Sequence, residues 1–218
     1  MAEFDEFADD YEQVLNESIR WSRDTADYFA AYKAVAARAL GWDELPRKIL
    51  DFGCGVGGVT RHLARAFPDA QLDGFDVSQE SVDALPEDLR GRGEFSSDLT
   101  SMADDYDLIL IANVLHHIEP AERADVMRDL GRRLRSGGRL LVFEHNPLNP
   151  VTRWIVATCP FDENAVLLWP SETLGLLRHA ELRHPRRQFV LFFPGFLRAL
   201  RFLEPNLGWL PAGAQYMA

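Results

Sequence analysis

One glycine-rich stretch of this chain has the residue types that bind a small ligand through the backbone. The run 48–52 is mainly apolar and contains Asp51, and the next six residues, 53–58, include four glycines. Apolar residues then recur at helical spacing, at Val59, Leu63 and Phe67. This order predicts a strand, a turn and a helix. Glycines let the backbone approach a ligand closely, and a helix start presents free N–H groups.

Two kinds of ligand compete for this loop. Gly53, Gly55 and Gly58 also fit the spacing of a dinucleotide-binding fingerprint. Asp51 favours another ligand, because its carboxylate would repel a pyrophosphate and attract the ammonium group of an amino-acid-like molecule. A P-loop is excluded, since Val59 stands where its lysine would be. The loop is therefore predicted to bind a ligand with a positive end, and a glycine turn without a ligand is the alternative.

The segment 51–57, Asp-Phe-Gly-Cys-Gly-Val-Gly, resembles the first motif of class I S-adenosylmethionine (SAM)-dependent methyltransferases. The resemblance runs from Phe7 to the C-terminus and implies SAM as the cofactor. It is specific for the cofactor rather than for the methyl acceptor. The residues expected to bind SAM are Tyr11, Asp51, Phe52, Gly53, Cys54, Gly55, Gly57, Asp76, Val77, Ser78, Asp98, Leu99, Asn113 and Val114.

Acidic residues after later strands extend the predicted ligand. Asp76 ends the second predicted strand, where a carboxylate can accept hydrogen bonds from both hydroxyls of a ribose. Capping of the helix that begins near Ser78 is the alternative. In the resembling family an acidic residue at the position of Asp98 contacts the adenine amino group, with a helix-cap or loop role as the alternative. Asp51 and Asp76 together describe a nucleoside with a cationic end.

The remainder of the chain alternates strands with helices. Strands are predicted at 48–52, 71–76, 93–96, 106–112, 139–143, 188–193 and 213–218. This order predicts an α/β fold with a doubly wound, mostly parallel sheet and right-handed crossovers. The resemblance implies a seven-stranded Rossmann-like methyltransferase sheet whose last strand is antiparallel, and 213–218 is expected at its edge.

Three local expectations concern the segments around the fifth predicted strand. A helix is predicted to begin at Pro120 and Glu122 and to end at 136–138, with Leu134 on its buried edge. Two Asn-Pro steps in the segment 146–150 predict a long shaped loop rather than a helix. Such loops at the ligand end of an α/β sheet often contact substrate.

The length of 218 residues and 47% apolar content predict a single methyltransferase domain over 1–218. Within it we expect a helical cap (1–45), a SAM-binding core (46–145), and a substrate loop with the closing strands (146–218). The net charge of −11 disfavours a nucleic-acid partner. The sequence shows no membrane span or secretory signal, and its two cysteines suggest no disulfide framework, so a cytoplasmic location is expected.

Several side chains after the fourth and fifth predicted strands could remove a proton from a methyl acceptor. Methyl transfer requires a close, collinear approach, and a hydroxyl or ammonium acceptor also requires a general base. The candidates, in falling order, are His145, His117, His116 and Glu144. For the adjacent histidines, no carboxylate or cysteine lies at ligand spacing, so no metal site is expected.

The predicted activity is transfer of a methyl group from SAM to an oxygen or nitrogen atom of a small, partly apolar molecule. Two alternatives remain. One is an NAD-dependent oxidoreductase on a Rossmann sheet, which Asp51 and the closing strands disfavour. The other is a methyltransferase-like protein that binds SAM without turnover. The sequence specifies neither the acceptor nor an oligomeric state.

Overall fold

The structure, a computed structural model, describes residues 16–218. Its contacts divide the chain into two units that interleave along the sequence. Among the described residues, the first unit comprises 27–112 and 132–141, and the second comprises 16–26, 113–131 and 142–218.

Seven strands form the sheet. In chain order they are β1 Lys48–Phe52, β2 Gln71–Phe75, β3 Phe95–Ser96, β4 Tyr106–Ala112, β5 Leu134–His145, β6 Gln188–Val190 and β7 Gln215–Met217. They are hydrogen-bonded in the order β3-β2-β1-β4-β5-β7-β6. β1 is parallel to β2 and β4, whereas β7 is antiparallel to β5 and β6. The predicted seven-stranded Rossmann-like sheet with an antiparallel last strand is confirmed.

Helices connect most of the strands. They are α1 Ala26–Arg38, α2 Thr60–Ala66, α3 Gln79–Asp83, α4 Glu87–Arg90, α5 Arg123–Arg132, α6 Pro150–Thr158 and α7 Pro170–His179. Segments of 3-10 helix cover Arg20–Ser22, Leu99–Ser101, Leu115–His117, Pro160–Asp162 and Gly195–Asn206. α1 confirms the second predicted helix of the cap, whereas the first, with Tyr11, lies outside the described residues. None of the helices within 16–218 has the length and apolar character needed to cross a membrane.

The centre of the first unit explains why β1 can carry a buried acid. Ile49, Leu50 and the β4 residues 108–111 are fully enclosed. Ile49 lies opposite Leu108 in parallel register. Parallel strands that are covered on both faces have continuous apolar sequences. Asp51, which continues the same strand, is therefore withdrawn from water as well.

The helix predicted from Pro120 is shorter than expected. α5 spans Arg123–Arg132, and the predicted helical end at 136–138 belongs to β5 instead. Backbone pairing explains the difference, because the N–H of Tyr106 donates to the carbonyl of Arg133 at 2.9 Å. A side chain on Gly138 would meet the carbonyl oxygen of Tyr106 at 2.6 Å, so glycine permits a close approach of the two strands.

Two further expectations were wrong. The segment after β5 contains the helix α6 rather than a loop throughout, because Asn149 is its N-cap and accepts from the N–H groups of Val151 and Thr152. Pro150 then occupies the first turn, where a missing N–H costs nothing. In addition, β7 is not an edge strand, since it lies between β5 and β6.

One buried arginine fixes several segments of the second unit. The guanidinium of Arg123 on α5 donates to the carbonyls of Ile118 and Val166 at 3.0 and 2.7 Å, and to Glu172 at 2.8 Å. Only 1% of Arg123 is exposed. Its charge can lie so deep because all three of its nitrogens have acceptors. The segments that contain Ile118 and Val166 are thereby held to α5.

We expect Arg123→Met to lower the free energy of unfolding by about 2–4 kcal/mol, because a buried side chain would lose three hydrogen bonds and two backbone carbonyls would lose their donor. Arg128 on the same helix is a matched control. It pairs with Asp125, and both side chains are exposed, so Arg128→Met should change stability by less than about 0.5 kcal/mol. Chemical denaturation of the two variants tests this difference, and equal effects would contradict the assigned role of Arg123.

Candidate functional site

The turn after β1 is shaped by glycine. The N–H groups of Gly53 and Cys54 both donate to the carbonyl of Phe75, at 2.7 and 3.0 Å. Gly53, Gly55 and Gly57 adopt φ values of 79°, 51° and 83°. At Gly57 a side chain would also meet two leucine methyl groups at 2.8 Å. These left-handed positions favour glycine, as the sequence predicted, and leave the turn without side-chain cover.

The Asp51 carboxylate beside this turn lacks a full set of hydrogen-bond donors. Its Oδ2 accepts from the hydroxyl of Thr60 at 2.7 Å, whereas its Oδ1 is buried and has no partner among the described residues. Burial raises the pKa of Asp51 to about 6, and Asp76 adds to the rise, while Thr60 and Lys33 oppose it. A buried acceptor without a donor is costly. The site therefore fits a ligand that brings a cationic N–H group.

Asp76 holds the glycine turn in place. Its two carboxylate oxygens accept from the N–H groups of Gly55 and Ser78, at 2.8 and 3.0 Å. Carboxylate oxygens have further lone pairs, so these bonds leave capacity for the hydroxyls of a ribose. The structure thus shows a local role for Asp76 close to the predicted alternative, although the N-cap of α3 is Ser78, whose hydroxyl accepts from Ser81.

The predicted SAM-binding residues next to the glycine turn differ in how much of their surface is exposed. Phe52, Cys54 and Ser78 are buried, so we expect Phe52 and Cys54 to meet a ligand through their backbone. Val77 is 61% exposed and has an apolar side chain that an adenosine could cover. Burial raises the pKa of the Cys54 thiol well above its usual value, which keeps it neutral.

Asp98 caps a short 3-10 turn. It accepts from the N–H of Thr100 at 2.9 Å and from the Thr100 hydroxyl at 2.7 Å, and these bonds lower its pKa. The turn begins at Leu99. This is the capping role that the sequence left as the alternative for Asp98. Contact with an adenine by Asp98 and Leu99 stays a prediction.

Asn113 begins the second unit with a left-handed backbone. Its φ is 60°, its N–H donates to the carbonyl of Phe143 at 2.8 Å, and its buried Oδ1 has no partner among the described residues. Asparagine tolerates this conformation better than most residues. Val114 follows as the cap of the Leu115–His117 turn. An unmatched acceptor on Asn113 fits its predicted role as a ligand contact, which stays a prediction.

A buried ion pair lies at the end of β5. Glu144 is fully enclosed and accepts from the Nδ1 of His116 at 2.6 Å and from the N–H of Leu115 at 2.8 Å. Burial alone would lower the pKa of His116, but the charge and hydrogen bonds of Glu144 and Asp162 outweigh it and raise that pKa to about 9. In turn, burial would raise the pKa of Glu144, and His116 holds it below its usual value.

The sequence did not single out Asp162, which lies beside both histidines. The Nε2 atoms of His116 and His117 are 3.3 and 3.5 Å from Oδ1 of Asp162. The His145 ring lies 5.1 Å from that of His116, centroid to centroid. The structure therefore brings together the three predicted catalytic residues, His145, His117 and Glu144. The only hint of Asp162 in the sequence was its place in the unusual Cys-Pro-Phe-Asp segment that follows α6.

The fold and the glycine turn are those of the class I SAM-dependent methyltransferases, and sequence and structural relatives support this class for the chain. A methyltransferase-domain model matches residues 50–140. Among solved structures, a SAM-dependent methyltransferase from Archaeoglobus fulgidus has the same fold, with a TM-score of 0.67 at 16% identity over 95% of this chain and 98% of that one.

Particular relatives can also be named. The chain is 30% identical to trans-aconitate 2-methyltransferase of Mycobacterium ulcerans (strain Agy99), over 77% of this chain and 66% of that protein. It is 30% identical to the ubiquinone/menaquinone biosynthesis C-methyltransferase UbiE of Syntrophotalea carbinolica, over 68% of this chain and 62% of that protein. The matched region thus spans slightly less than two thirds of these relatives.

We expect the affinity for S-adenosylhomocysteine, which carries the same ammonium group as SAM, to follow the ionisation of Asp51. Because the pKa of Asp51 is raised to about 6, the carboxylate is charged above that pH and becomes protonated below it. Affinity should fall about fourfold between about pH 7.5 and about pH 5.5. Isothermal titration calorimetry at several pH values measures this.

The control for this prediction is Asp51→Asn. At about pH 7.5 it should bind S-adenosylhomocysteine about tenfold or more weakly, because a charged hydrogen bond is lost. Its affinity should also vary less with pH than that of the unaltered protein. Equal pH profiles for the two proteins would remove Asp51 as the titrating group.

Proposed function

We propose that this chain transfers the methyl group of SAM to an oxygen or nitrogen atom of a small, partly apolar molecule. The observation that carries the proposal is the buried Oδ1 of Asp51, which has no donor among the described residues and lies beside a bare glycine turn. The ammonium group of SAM supplies the donor and the charge that this oxygen lacks. Similarity to the methyltransferase family supports the same ligand.

Each part of the cofactor has a proposed partner in this chain. Asp51 would accept from the ammonium group, the backbone of 53–57 would follow the methionine part, and Asp76 would accept from the ribose hydroxyls. Asp98 and Leu99 would contact the adenine, and Asn113 and Val114 the methionine part. SAM supplies a methyl group that is already activated on a sulfonium, so the main task of the protein is to orient the acceptor and exclude water.

The proposal of a partly apolar acceptor is supported by the segment after β5. Leu148, Val151 and Trp154 have 44%, 43% and 57% of their surface exposed. Exposed apolar side chains close together in sequence are typical of binding surfaces. The relatives' names specify unlike acceptors, a small carboxylic acid in one case and a quinone precursor in another, so they do not choose the acceptor for this chain.

His145 is the proposed general base. Glu144 is fully buried and already accepts from His116 and Leu115, so we assign it the positioning of His116 rather than contact with substrate. His116 is also enclosed, and the carboxylates beside it keep it protonated near neutral pH. His145 is partly exposed, and an imidazole is the side chain best suited to removing a proton near neutral pH.

A cytoplasmic location stays part of this proposal. The two cysteines, Cys54 and Cys159, are both among the described residues and form no disulfide. Buried thiols without a disulfide are usual in a reducing compartment.

The proposed activity is tested by incubating the protein with SAM and a panel of small hydroxyl, carboxyl and amine acceptors. Mass spectrometry should show S-adenosylhomocysteine and a product heavier by one methylene unit. Asp51→Asn should lower the rate at subsaturating SAM. Binding of SAM without turnover on any acceptor would favour the non-catalytic alternative, and binding of NADH in place of SAM would overturn the assignment.

We expect His145→Gln to lower kcat by about 10²- to 10⁴-fold without changing the affinity for SAM, as for loss of a general base. His179, exposed at the end of α7, provides a control, and His179→Gln should keep full activity. Steady-state kinetics over a range of pH measures both variants. An unchanged kcat for His145→Gln at every pH would exclude His145 as the base.

A further inference from the structure

Two histidines and a carboxylate in the second unit direct their ligand atoms to a common point. Nε2 of His116, Nε2 of His117 and a carboxylate oxygen of Asp162 all lie within 4.8 Å of one another. We propose that these three residues bind a divalent transition-metal ion of the zinc type. The expectation of no metal site rested on the lack of a carboxylate near the histidines in sequence, and the fold supplies that carboxylate from the segment after α6.

The distances within the cluster match those between the ligands of one metal ion. Charge-assisted N–H···O contacts are about 2.7–2.9 Å long, and the His116–Glu144 contact at 2.6 Å is of this kind. Asp162, by contrast, is 3.3 Å from His116 and 3.5 Å from His117. Two ligands about 2.0–2.1 Å from a tetrahedral zinc ion lie about 3.3–3.4 Å apart. The spacing of Asp162 from both histidines therefore leaves room for a metal ion coordinated by all three residues.

Glu144 orients the ring of His116 so that its other nitrogen can bind a metal ion. With Nδ1 of His116 hydrogen-bonded to Glu144, the other ring nitrogen, Nε2, faces Asp162, and a bound metal ion would take the place of the proton on Nε2. A ligating histidine that donates its other N–H to a carboxylate is the usual arrangement in zinc sites.

The negative charge of the two carboxylates in the cluster also favours binding of a cation. Glu144 is 0% exposed and His116 1% exposed. Two carboxylates, Glu144 and Asp162, lie against His116, and a divalent ion with neutral histidine ligands would balance their negative charge. Buried charge is tolerated best when it is balanced.

The segment that carries Asp162 is fixed to the histidines. The N–H of Val166 donates to the carbonyl of His116 at 2.9 Å, and Arg123 donates to the carbonyl of Val166 at 2.7 Å. Within the segment, the N–H of Ala165 donates to the carbonyl of Asp162 at 3.0 Å. Ligands held in this way are preorganised, so little conformational entropy is lost on binding.

Three protein ligands leave a tetrahedral ion with one open position. Water or an acceptor hydroxyl can occupy that position, and coordination lowers the pKa of either. This use of the ion rests on the proposed methyl transfer, whereas the binding of the ion does not. With His117 as a ligand, His145 remains the base for a proton that leaves the coordinated group.

The test uses full-length, metal-stripped protein without a histidine tag. Calorimetry with Zn²⁺ against a competing chelator should show one equivalent bound, and Co²⁺ should give the intense visible absorption of a tetrahedral ion. Asp162→Asn and His117→Gln should each weaken Zn²⁺ binding by more than about tenfold. Glu144→Gln, which alters the support of a ligand, should weaken it by about 10- to 100-fold.

A second histidine–carboxylate pair in the chain is the matched control. Nε2 of His62 lies 2.8 Å from Asp27, at hydrogen-bonding distance, and no third ligand joins this pair among the described residues. His62→Gln should bind Zn²⁺ as tightly as the unaltered protein. The absence of stoichiometric binding, or binding that Asp162→Asn and His117→Gln leave unchanged, would overturn the proposal.

Two further measurements distinguish the loss of a metal ligand from a failure to fold. Thermal unfolding and S-adenosylhomocysteine binding of every variant identify any that fail to fold. Asp162 and His117 are both partly exposed, so replacing them should disturb folding less than replacing Glu144. If Glu144→Gln is unstable, the variants of Asp162 and His117 still test the proposal. Zinc binding without any SAM binding would refute the proposed function and leave the metal site standing, whereas SAM turnover without zinc binding would do the reverse.

Discussion

A carboxylate that is enclosed at the end of a strand needs a positive partner, and each unit of this protein contains one such group. Asp51 lies near the end of β1 and Glu144 near the end of β5, and both are withdrawn from water. Strands that are covered on both faces force this burial, because their apolar neighbours exclude solvent. Because both carboxylates are withdrawn from water, the residues or ligands around them must supply hydrogen-bond donors or positive charge.

The two acids meet this demand in opposite ways. Glu144 accepts hydrogen bonds from two groups of the chain itself, the ring of His116 and the N–H of Leu115. Asp51 receives one hydroxyl, from Thr60, and keeps one oxygen without a donor among the described residues. A matched acid holds other groups in position, whereas an unmatched acid is prepared for a ligand. This difference is why Glu144 is assigned to positioning and Asp51 to cofactor binding.

The sequence predicts features that depend on neighbouring residues and misses those that depend on tertiary contact. The glycine turn, β1 and β4 follow from residues close together in the chain, and the structure confirms them. The extension of β5 depends on pairing with Tyr106, and α6 depends on whether Asn149 acts as a cap or as part of a turn. Asp162 could not be predicted as a partner of the histidines, because backbone and arginine contacts made by the folded chain bring it there.

The same contacts stabilise the second unit and set the geometry of its histidine cluster. Arg123 ties the segment before α5 to the segment that carries Asp162, so any change that loosens this arginine also changes the distance between Asp162 and the histidines. By contrast, the hydrogen bonds of Glu144 come from His116 and Leu115, whereas Leu148, Val151 and Trp154 of the segment 148–154 are exposed. If the segment 148–154 contacts the acceptor, as proposed, substitution there would change the acceptor while the buried pair stays intact. Keeping the buried Glu144–His116 pair apart from the exposed apolar segment would let one catalytic arrangement serve different acceptors.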